Sequence, residues 1–522
     1  MTEMLADRPT GFKKWIIVIT VVLASLLEMI DSTVVNVSLP EIMGNLGATL
    51  EDVAWIITAY AVANVIILPM TGWLSSKFGR RNYFVVSIII FTVASFFCGN
   101  AHNIWELVVF RFIQGIGGGA LLSTSQSILF ETFKPEERGM ATAIFGLGVV
   151  IGPTFGPTIG GFITDHYSWP WIFYVNLPLG VIAAMLSLTY ISEAVDRRQI
   201  DKVDWWGILL LIVGIGALQV VLERGQTEDW FDTGYIVVLS VVSLFAMVFF
   251  VWRELKIDYP VVDFRIMKDR SFSFGLVFSF VLGFGLYASV FVFPVFCQNL
   301  LGFTAQQTGE LMIPSGLVTI IVMPLVGNLL KKRVPPQLMA VIGFTIFFIF
   351  TKLFSSSTLA SGAGDFYVPL LLRGVGMGCL FVPLTAMGLS GLKGKDMAQG
   401  VGINNMIRQL GGSFGVALMT TFIHNRLAIH RQNLISHVTA FDTAVQDQLS
   451  GYTQAFQGRG FSLTQAQAMA HAALEGKVVK QSMLMSYMDC FWIIGVFFLF
   501  CIPLVIFQRR SRTEPVSMEG VH

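Results

Sequence analysis

The sequence predicts an all-α polytopic membrane protein with fourteen transmembrane helices and both termini on the cytoplasmic side. Three observations predict it. The chain is too apolar for water, its apolar residues fall in runs of spanning length, and its basic residues alternate between the connecting segments. Of 522 residues 54% are hydrophobic and 13% charged, more apolar surface than a soluble domain could hide. The runs cover 15–39, 54–73, 83–101, 104–127, 141–162, 171–191, 205–222, 235–252, 272–300, 311–330, 338–354, 367–390, 400–422 and 486–507. Each is close to the ~20 residues that cross a bilayer as a helix.

Charge fixes the expected orientation. With the N-terminus inside, the inner segments carry Arg8, Lys13, Lys14, then Lys77, Arg80, Arg81, then Lys134, Arg138, then Arg197, Arg198, Lys202. They continue with Arg253, Lys256, Arg265, Lys268, Arg270, then Lys331, Lys332, Arg333, then Lys393, Lys395, and last Arg509, Arg510, Arg512. The short outer loops hold only Arg224 and Lys352. One span too many or too few would reverse this bias downstream of the error, so the positive-inside rule supports the alternation. The segment 423–485 is long enough to be exempt. It is polar, and Ser462-Leu-Thr-Gln465 has the form of a capping box. One or two short helices are expected there, with Leu463, Ala470 and Leu474 as a weak apolar stripe.

Three pairs of segments repeat in order. Pro69-Met-Thr-Gly72 parallels Pro324-Leu-Val-Gly327; Arg111-Phe-Ile-Gln114-Gly115 parallels Arg373-Gly374-Val-Gly376; Gly152 to Gly161 parallels the cluster Gly411 to Gly415. Internal duplication around a central site is an architecture of secondary transporters. The expected organisation is a six-helix half over 1–192, two inserted helices with linkers over 193–265, and a second six-helix half over 266–522 that includes the loop 423–485.

The charges inside the spans are the candidate functional groups. Asp31 and Glu28 lie on one face of the first span. A carboxylate at the bilayer centre costs about 3 kcal/mol on insertion scales, and taking up a proton removes most of that cost. Asp31 lies ~12 Å below the outer end of its span and Arg111 ~10 Å below the same face. An ion pair across two helices of one half is therefore expected, broken by protonation or by a competing cationic substrate; a static structural pair is the alternative. Glu28 is a second proton or cation site or a passive lining group. Arg373 has no acid at its depth. Arg408, below Asn404 and Asn405, suits inter-helix hydrogen bonding. In span five, glycines spaced by four allow close helix contact, and Pro153 and Pro157 favour a bend.

These residues resemble the major facilitator superfamily, and within it the fourteen-span drug:proton antiporters of the EmrB/FarB-like branch. Leu-Glu-Met-Ile-Asp31-Ser-Thr33-Val-Val-Asn36-Val-Ser-Leu-Pro40 is similar to the family's first-span signature. Gly72-x4-Lys77-x-Gly79-Arg80-Arg81 resembles the superfamily's loop motif, with Ser76 where an aspartate is common. Arg111-x-x-Gln114-Gly115 resembles the arginine motif. Gly152-Pro153-x-x-Gly156-Pro157-x-x-Gly160-Gly161 is similar to the antiporter motif, which symporters of the superfamily generally lack. The resemblance implies a major facilitator fold in a bacterial inner membrane. It also implies proton-driven export of amphipathic drugs or toxic hydrophobic compounds, with a periplasmic adaptor and, through it, an outer-membrane channel as partners. The residues expected to carry it are Asp31, Arg111 and Glu28 for protons, Asn36, Gln114, Arg373 and Asn404 along the substrate cavity, and the glycine, proline and basic motif residues for the conformational change.

Other classes find less support. There is no phosphate-binding G-x-x-x-x-G-K-[ST] run. All seven histidines lie outside the spans and the five cysteines inside them, which disfavours an intramembrane metalloenzyme, a His-dependent transferase and a disulfide framework. The first apolar run is long for a signal peptide. The net charge of +1 gives no sign of a nucleic-acid partner, and no cofactor or metal is expected. Two rivals stay open: a dedicated exporter of one natural amphipath (a fatty acid, bile salt or siderophore), and a non-transporting receptor or scaffold.

Overall fold

A computed structural model describes residues 9–193, 202–392, 395–439 and 442–507. Among the described residues thirteen helices are long and apolar enough to cross a membrane. They are α1 (Gly11–Leu46), α2 (Leu50–Phe78), α3 (Arg80–Gly99), α4 (Ile104–Thr132), α5 (Arg138–His166), the kinked pair α6 (Trp171–Tyr174) and α7 (Asn176–Tyr190), α8 (Trp205–Arg224), α9 (Gly234–Lys256), α10 (Arg270–Asn299), α11 (Ala305–Lys331), α12 (Pro336–Phe354), α13 (Ala363–Gly388) and, after two further helices, α16 (Leu463–Phe507). The first of those two, α14 (Lys395–His437), covers the predicted span 400–422. It is more polar than its neighbours because it faces inward with Asn404, Asn405 and Arg408, all buried. It packs between α2, α4, α10 and α16 and completes the fourteen. Of the basic residues used for orientation, Arg8, Arg197, Arg198, Lys393, Arg509, Arg510 and Arg512 lie outside the described residues.

Helix starts follow local chemistry. Thr49 accepts from the Asp52 backbone N–H at 3.1 Å, and the Asp52 side chain accepts from Thr49 N–H at 3.3 Å. Thr304 and Gln307 repeat this box at α11, and Asn103 caps α4 from Glu106 N–H at 2.9 Å. Each cap satisfies donors that the first helical turn leaves free. The end of α1 is set by Gly47 at φ +61°, whose amide donates back to Met43, a left-handed stop that favours glycine.

Packing reproduces the sequence repeat. In the first set α1 lies on α5, α2 on α4, and α3 on α4 and α7; in the second, α10 lies on α14, α11 on α13, and α12 on α13 and α16. The sets meet along two matched seams, α5 with α11 and α2 with α14. Gly152 abuts Met29, Gly156 abuts Thr33, and Gly160 abuts Val34 on α1, while the Thr33 hydroxyl donates to Gly152 O at 3.1 Å. A side chain at Gly152 or Gly156 would enter α1. The other face of α5 touches α11 from Gly139 against Gly327 at one end to Thr158 against Gly309 at the other. The hairpin α8–α9 adds to this frame: α8 contacts α2 and α14 together.

The outer segment differs from its expectation. The Ser462–Gln465 box does open a helix, but that helix continues without a break as α16 through the last span. α14 likewise runs past its span to His437. Only α15 (Thr443–Gln457) is separate, and it packs on α16. Arg426 and His430 of α14 hold Asp489 of α16 at 2.6 and 2.8 Å. Short separate helices are the expectation here, yet two membrane helices extend beyond the span, joined by Arg426 and His430 on Asp489.

Candidate functional site

The acid and base of spans one and four meet. Asp31 Oδ2 lies 2.6 Å from Arg111 Nη1, and both side chains are buried. Gln114 Nε2 donates to Asp31 Oδ1 at 2.9 Å, and Asn176 Nδ2 donates to the same oxygen at 2.8 Å. Arg111 Nη1 also donates to Gln114 Oε1 at 2.7 Å. Ser95 completes the cage, accepting from Gln114 and Asn176 at 3.2 and 3.1 Å. Four helices, α1, α3, α4 and α7, thus converge on one carboxylate. The guanidinium lies 4.1 Å from the centre of the Tyr60 ring on α2, a favourable cation–π arrangement in a dry site. These groups form one connected network, so losing one donor or gaining a proton alters five side chains at once.

Glu28, one turn toward the start of α1, is buried and accepts from Asn64 Nδ2 at 2.9 Å. Gln114, expected along the cavity, stands instead in the Asp31 cage. Asn36 is exposed on α1, away from the cage. Arg373 is buried and donates to the hydroxyls of Ser289 and Ser315 at 3.1 and 3.3 Å, beside a cavity of about 10 Å³ lined by Pro153, Thr154 and Met377. It neither snorkels to the surface nor has a carboxylate within 4 Å among the described residues. Asn404 accepts from Ser279 on α10.

The loop motif sits where the two sets close. Gly72 lies against the Gln399 backbone, 2.6 Å from where its Cβ would be. Lys77 lies over Trp73 at 5.1 Å, and Gly79 turns the chain at φ +86°. Arg80 pairs with Glu131 of α4 and donates to Ser192 O at 3.3 Å; Arg81 is half-buried beside it. Ser76 bonds only its own helix, to Gly72 O at 2.8 Å. The carboxylate that Arg80 meets is thus Glu131 of α4, and no carboxylate stands at position 76. At the same end Glu137 bridges Lys14 at 3.1 Å and Lys331 at 3.2 Å, and Arg138 donates to Leu392 O at 3.4 Å. These contacts clasp the two sets at the face where α1 begins.

Sequence reasoning missed Asn176, Ser95, Tyr60 and Glu131. Asn176 carried a readable signal, as a lone amide inside an apolar run. The others look like ordinary span residues until the helices are packed.

Comparison with known proteins agrees with this arrangement. Residues 21–416 match the Major Facilitator Superfamily. The chain is 34% identical over 504 residues to the multidrug export protein EmrB of Escherichia coli strain K12, covering 96% of each chain. It is 32% identical to the fatty acid resistance protein FarB of Neisseria gonorrhoeae, over 92% of this chain and 94% of that one. The human organic anion transporter MFSD10 shares the fold, with a TM-score of 0.62 at 13% identity over 94% of this chain and 99% of that one. The spans, their duplicated packing and these relatives make the chain a multi-pass protein of the bacterial inner membrane, and it belongs to the major facilitator superfamily.

Proposed function

We propose that the protein is a proton-driven exporter of amphipathic drugs or toxic hydrophobic compounds. The observation that carries this reading is the buried Asp31–Arg111 pair in its cage of amides. The printed names of its relatives, a multidrug export protein and a fatty acid resistance protein, agree with it. A proton reaching Asp31 neutralises the carboxylate, frees Arg111, and changes the relative energies of the two openings. Glu28, one turn away, is a second acidic site on the same path. Gln114 serves the proton site, while Asn36, Arg373 and Asn404 border the substrate route. Gly152, Pro153, Gly156, Pro157 and Gly160 make the tight, bent seam that rocks without leaking protons, and Gly72, Lys77, Gly79, Arg80 and Arg81 close its end.

The positive-inside bias puts the clasped face in the cytoplasm, so this arrangement is closed inward. Residues 1–192 and 266–522 act as the two rocking halves, with 193–265 filling the α2/α14 seam. The extensions of α14 and α16, with α15, dock a periplasmic adaptor that leads to an outer-membrane channel. Inverted vesicles with an imposed pH gradient test the core of this reading. Wild type should accumulate lipophilic dyes, and Asp31→Asn should not. A neutralised variant that concentrates dye at the normal proton cost overturns it. A wild type that moves no dye in the panel but moves one fatty acid or bile salt favours a dedicated exporter; a wild type that moves nothing is a receptor.

A further inference from the structure

A second group of buried polar side chains lies between the two helix sets, touching the Asp31 cage through Tyr60, and its members are incompletely bonded. Glu28 Oε2 and the Tyr60 hydroxyl are buried together beside Asn64 and, among the described residues, meet no group of the second set. Arg408 Nη1 and Asn404 Nδ2 on α14 and Gln126 Nε2 on α4 have no hydrogen-bond partner among the described residues. All five residues are more than nine-tenths buried. Such donors each cost about 1–3 kcal/mol when left unmade, so three of them together mark a place built to be filled.

Their chemistry is sorted by position. α1 and α2 contribute an acidic oxygen and a phenol, backed by Gly118 of α4, where a Cβ would lie 2.6 Å from the Tyr60 hydroxyl and 3.2 Å from Glu28 Cγ. α14 and α4 contribute donors. Arg408 Nη2 is fixed by Asn405 Oδ1 at 2.5 Å, and Asn405 Nδ2 is fixed in turn by Gln126 Oε1 at 3.0 Å and Ser123 at 3.2 Å. That chain leaves Arg408 Nη1 and Gln126 Nε2 as the free edges. Glu28 and Arg408 are within electrostatic reach of one another, yet they form no ion pair within 4 Å. The Arg408 guanidinium lies 5.2 Å from the Phe381 ring and 5.8 Å from the Phe145 ring, which supply aromatic walls from both sets.

We propose that Glu28 with Tyr60, and Arg408 with Gln126 and Asn404, are the two poles of one head-group site, suited to an amphipath that carries both an amine and an acid on an aromatic body. This rests on the exporter reading above and adds the substrate class to it. The ammonium meets Glu28, the carboxylate meets the Arg408 fork, and the ring lies against Phe145 and Phe381. Because Glu28 and Tyr60 stand on the first half and Arg408 and Asn404 on the second, a bound amphoteric molecule ties the halves together.

Isothermal titration of the purified full chain in detergent tests the site without requiring transport. The probes are tetraphenylphosphonium (cation only), deoxycholate (anion only) and ciprofloxacin (both). Arg408→Gln should lower the ratio of deoxycholate to tetraphenylphosphonium affinity about tenfold, as loss of a charged pair in a buried site does. Glu28→Gln should move that ratio the opposite way, and each should weaken ciprofloxacin. Asn404→Ala removes one donor without touching charge and should lower the same ratio about threefold, so the test survives if Arg408→Gln does not fold. Ratios unmoved by all three variants overturn the proposal. So does a Glu28→Arg, Arg408→Glu exchange that restores wild-type binding of every probe, since the two residues would then serve only each other. Gradient-driven dye uptake by wild type reads the exporter function separately: uptake with unmoved ratios sinks the head-group site alone.

Discussion

Neutralising one partner of the Asp31–Arg111 pair should damage the protein unequally, and the cage tells which loss is worse. Breaking a buried ion pair costs about 3–5 kcal/mol, because the surviving charge stays buried without its counter-ion. In Arg111→Gln the carboxylate keeps donors from Gln114 and Asn176 and can take up a proton, so the cost falls near 3 kcal/mol. In Asp31→Asn the guanidinium keeps Gln114 Oε1 at 2.7 Å, the Tyr60 and Phe173 rings and an uncharged amide oxygen, but no counter-ion. Arginine does not release its proton, so the cost falls near 5 kcal/mol. The difference of ~2 kcal/mol is a factor of about thirty in the folded-to-unfolded ratio. Reversible SDS unfolding of the purified chain measures it. The double variant should be less damaged than the sum of the singles, by a coupling of at least ~1 kcal/mol. Proteoliposomes then separate function from stability. Both single variants should lose gradient-driven uptake, and the double variant should fold better yet remain uncoupled. If the double variant carries cargo with ordinary proton coupling, the pair is a strut and the mechanism built on it is wrong.

Three further outcomes follow from other parts of the structure. Gly152→Val would push a side chain into Met29 of α1, an overpacking cost of about 1–3 kcal/mol; a pH-sensitive dye in substrate-free vesicles should report faster proton leak, and a tight variant would count against the seam. The Lys14 and Lys331 ammonium groups hold the Glu137 carboxyl below its ordinary value, so the clasp is fully present above that ordinary value and is lost as pH falls through the lowered one. Glu137→Gln should accordingly raise labelling of cysteines placed near Gly139 and Gly327 at neutral pH, and acid should raise it in wild type; equal labelling in both proteins at all pH values would refute the clasp. Replacing 438–462 by a short Gly–Ser linker should leave dye uptake in vesicles intact while abolishing drug resistance in cells, and retained resistance would end the adaptor-docking reading.

Much of the fold was readable because lipid leaves so few options for a backbone. Apolar length gave the helices and basic residues gave the alternation, since both are demanded by the solvent rather than by packing. Arg111 opposite Asp31 was readable from depth alone, as rise per residue is nearly constant. Rotation about each helix axis was not. That is why Gln114, placed along the cavity by sequence, turned out to donate to Asp31, and why Asn176 and Ser95 went unnamed. A helix's azimuth is set by neighbours in three dimensions, and neither period nor spacing records them. The continuous α14 and α16 were hidden for a different reason. Polar helices outside a membrane carry no hydropathy signal, and their support comes from pairs such as Arg426–Asp489, joined across 63 positions of sequence.

The duplicated scaffold is symmetric in its seams and asymmetric in its charges, and that asymmetry organises the chemistry. Arg111 and Arg373 occupy matching places in the repeat, yet one meets a carboxylate and the other two serine hydroxyls. Protonation at Asp31 therefore changes the electrostatics of one half only. Besides the Glu137–Lys331 clasp, the second half meets the first through contacts that do not titrate: Gly139 on Gly327, Thr154 on Gly316 and Thr158 on Gly309 along α5 and α11, and Asn405 reaching across to Ser123 and Gln126. Close packing of this kind does not deform gradually; it holds one alignment or shifts to another. A proton that loosens α4 from α1 in the first half can thus be felt at α14 in the second without any charge of its own there, provided the seams stay rigid. On the proposed mechanism the tight glycines in α5 and the Asp31 cage are two requirements of one coupling, and loss of either should leave a protein that binds cargo but no longer exchanges it for protons.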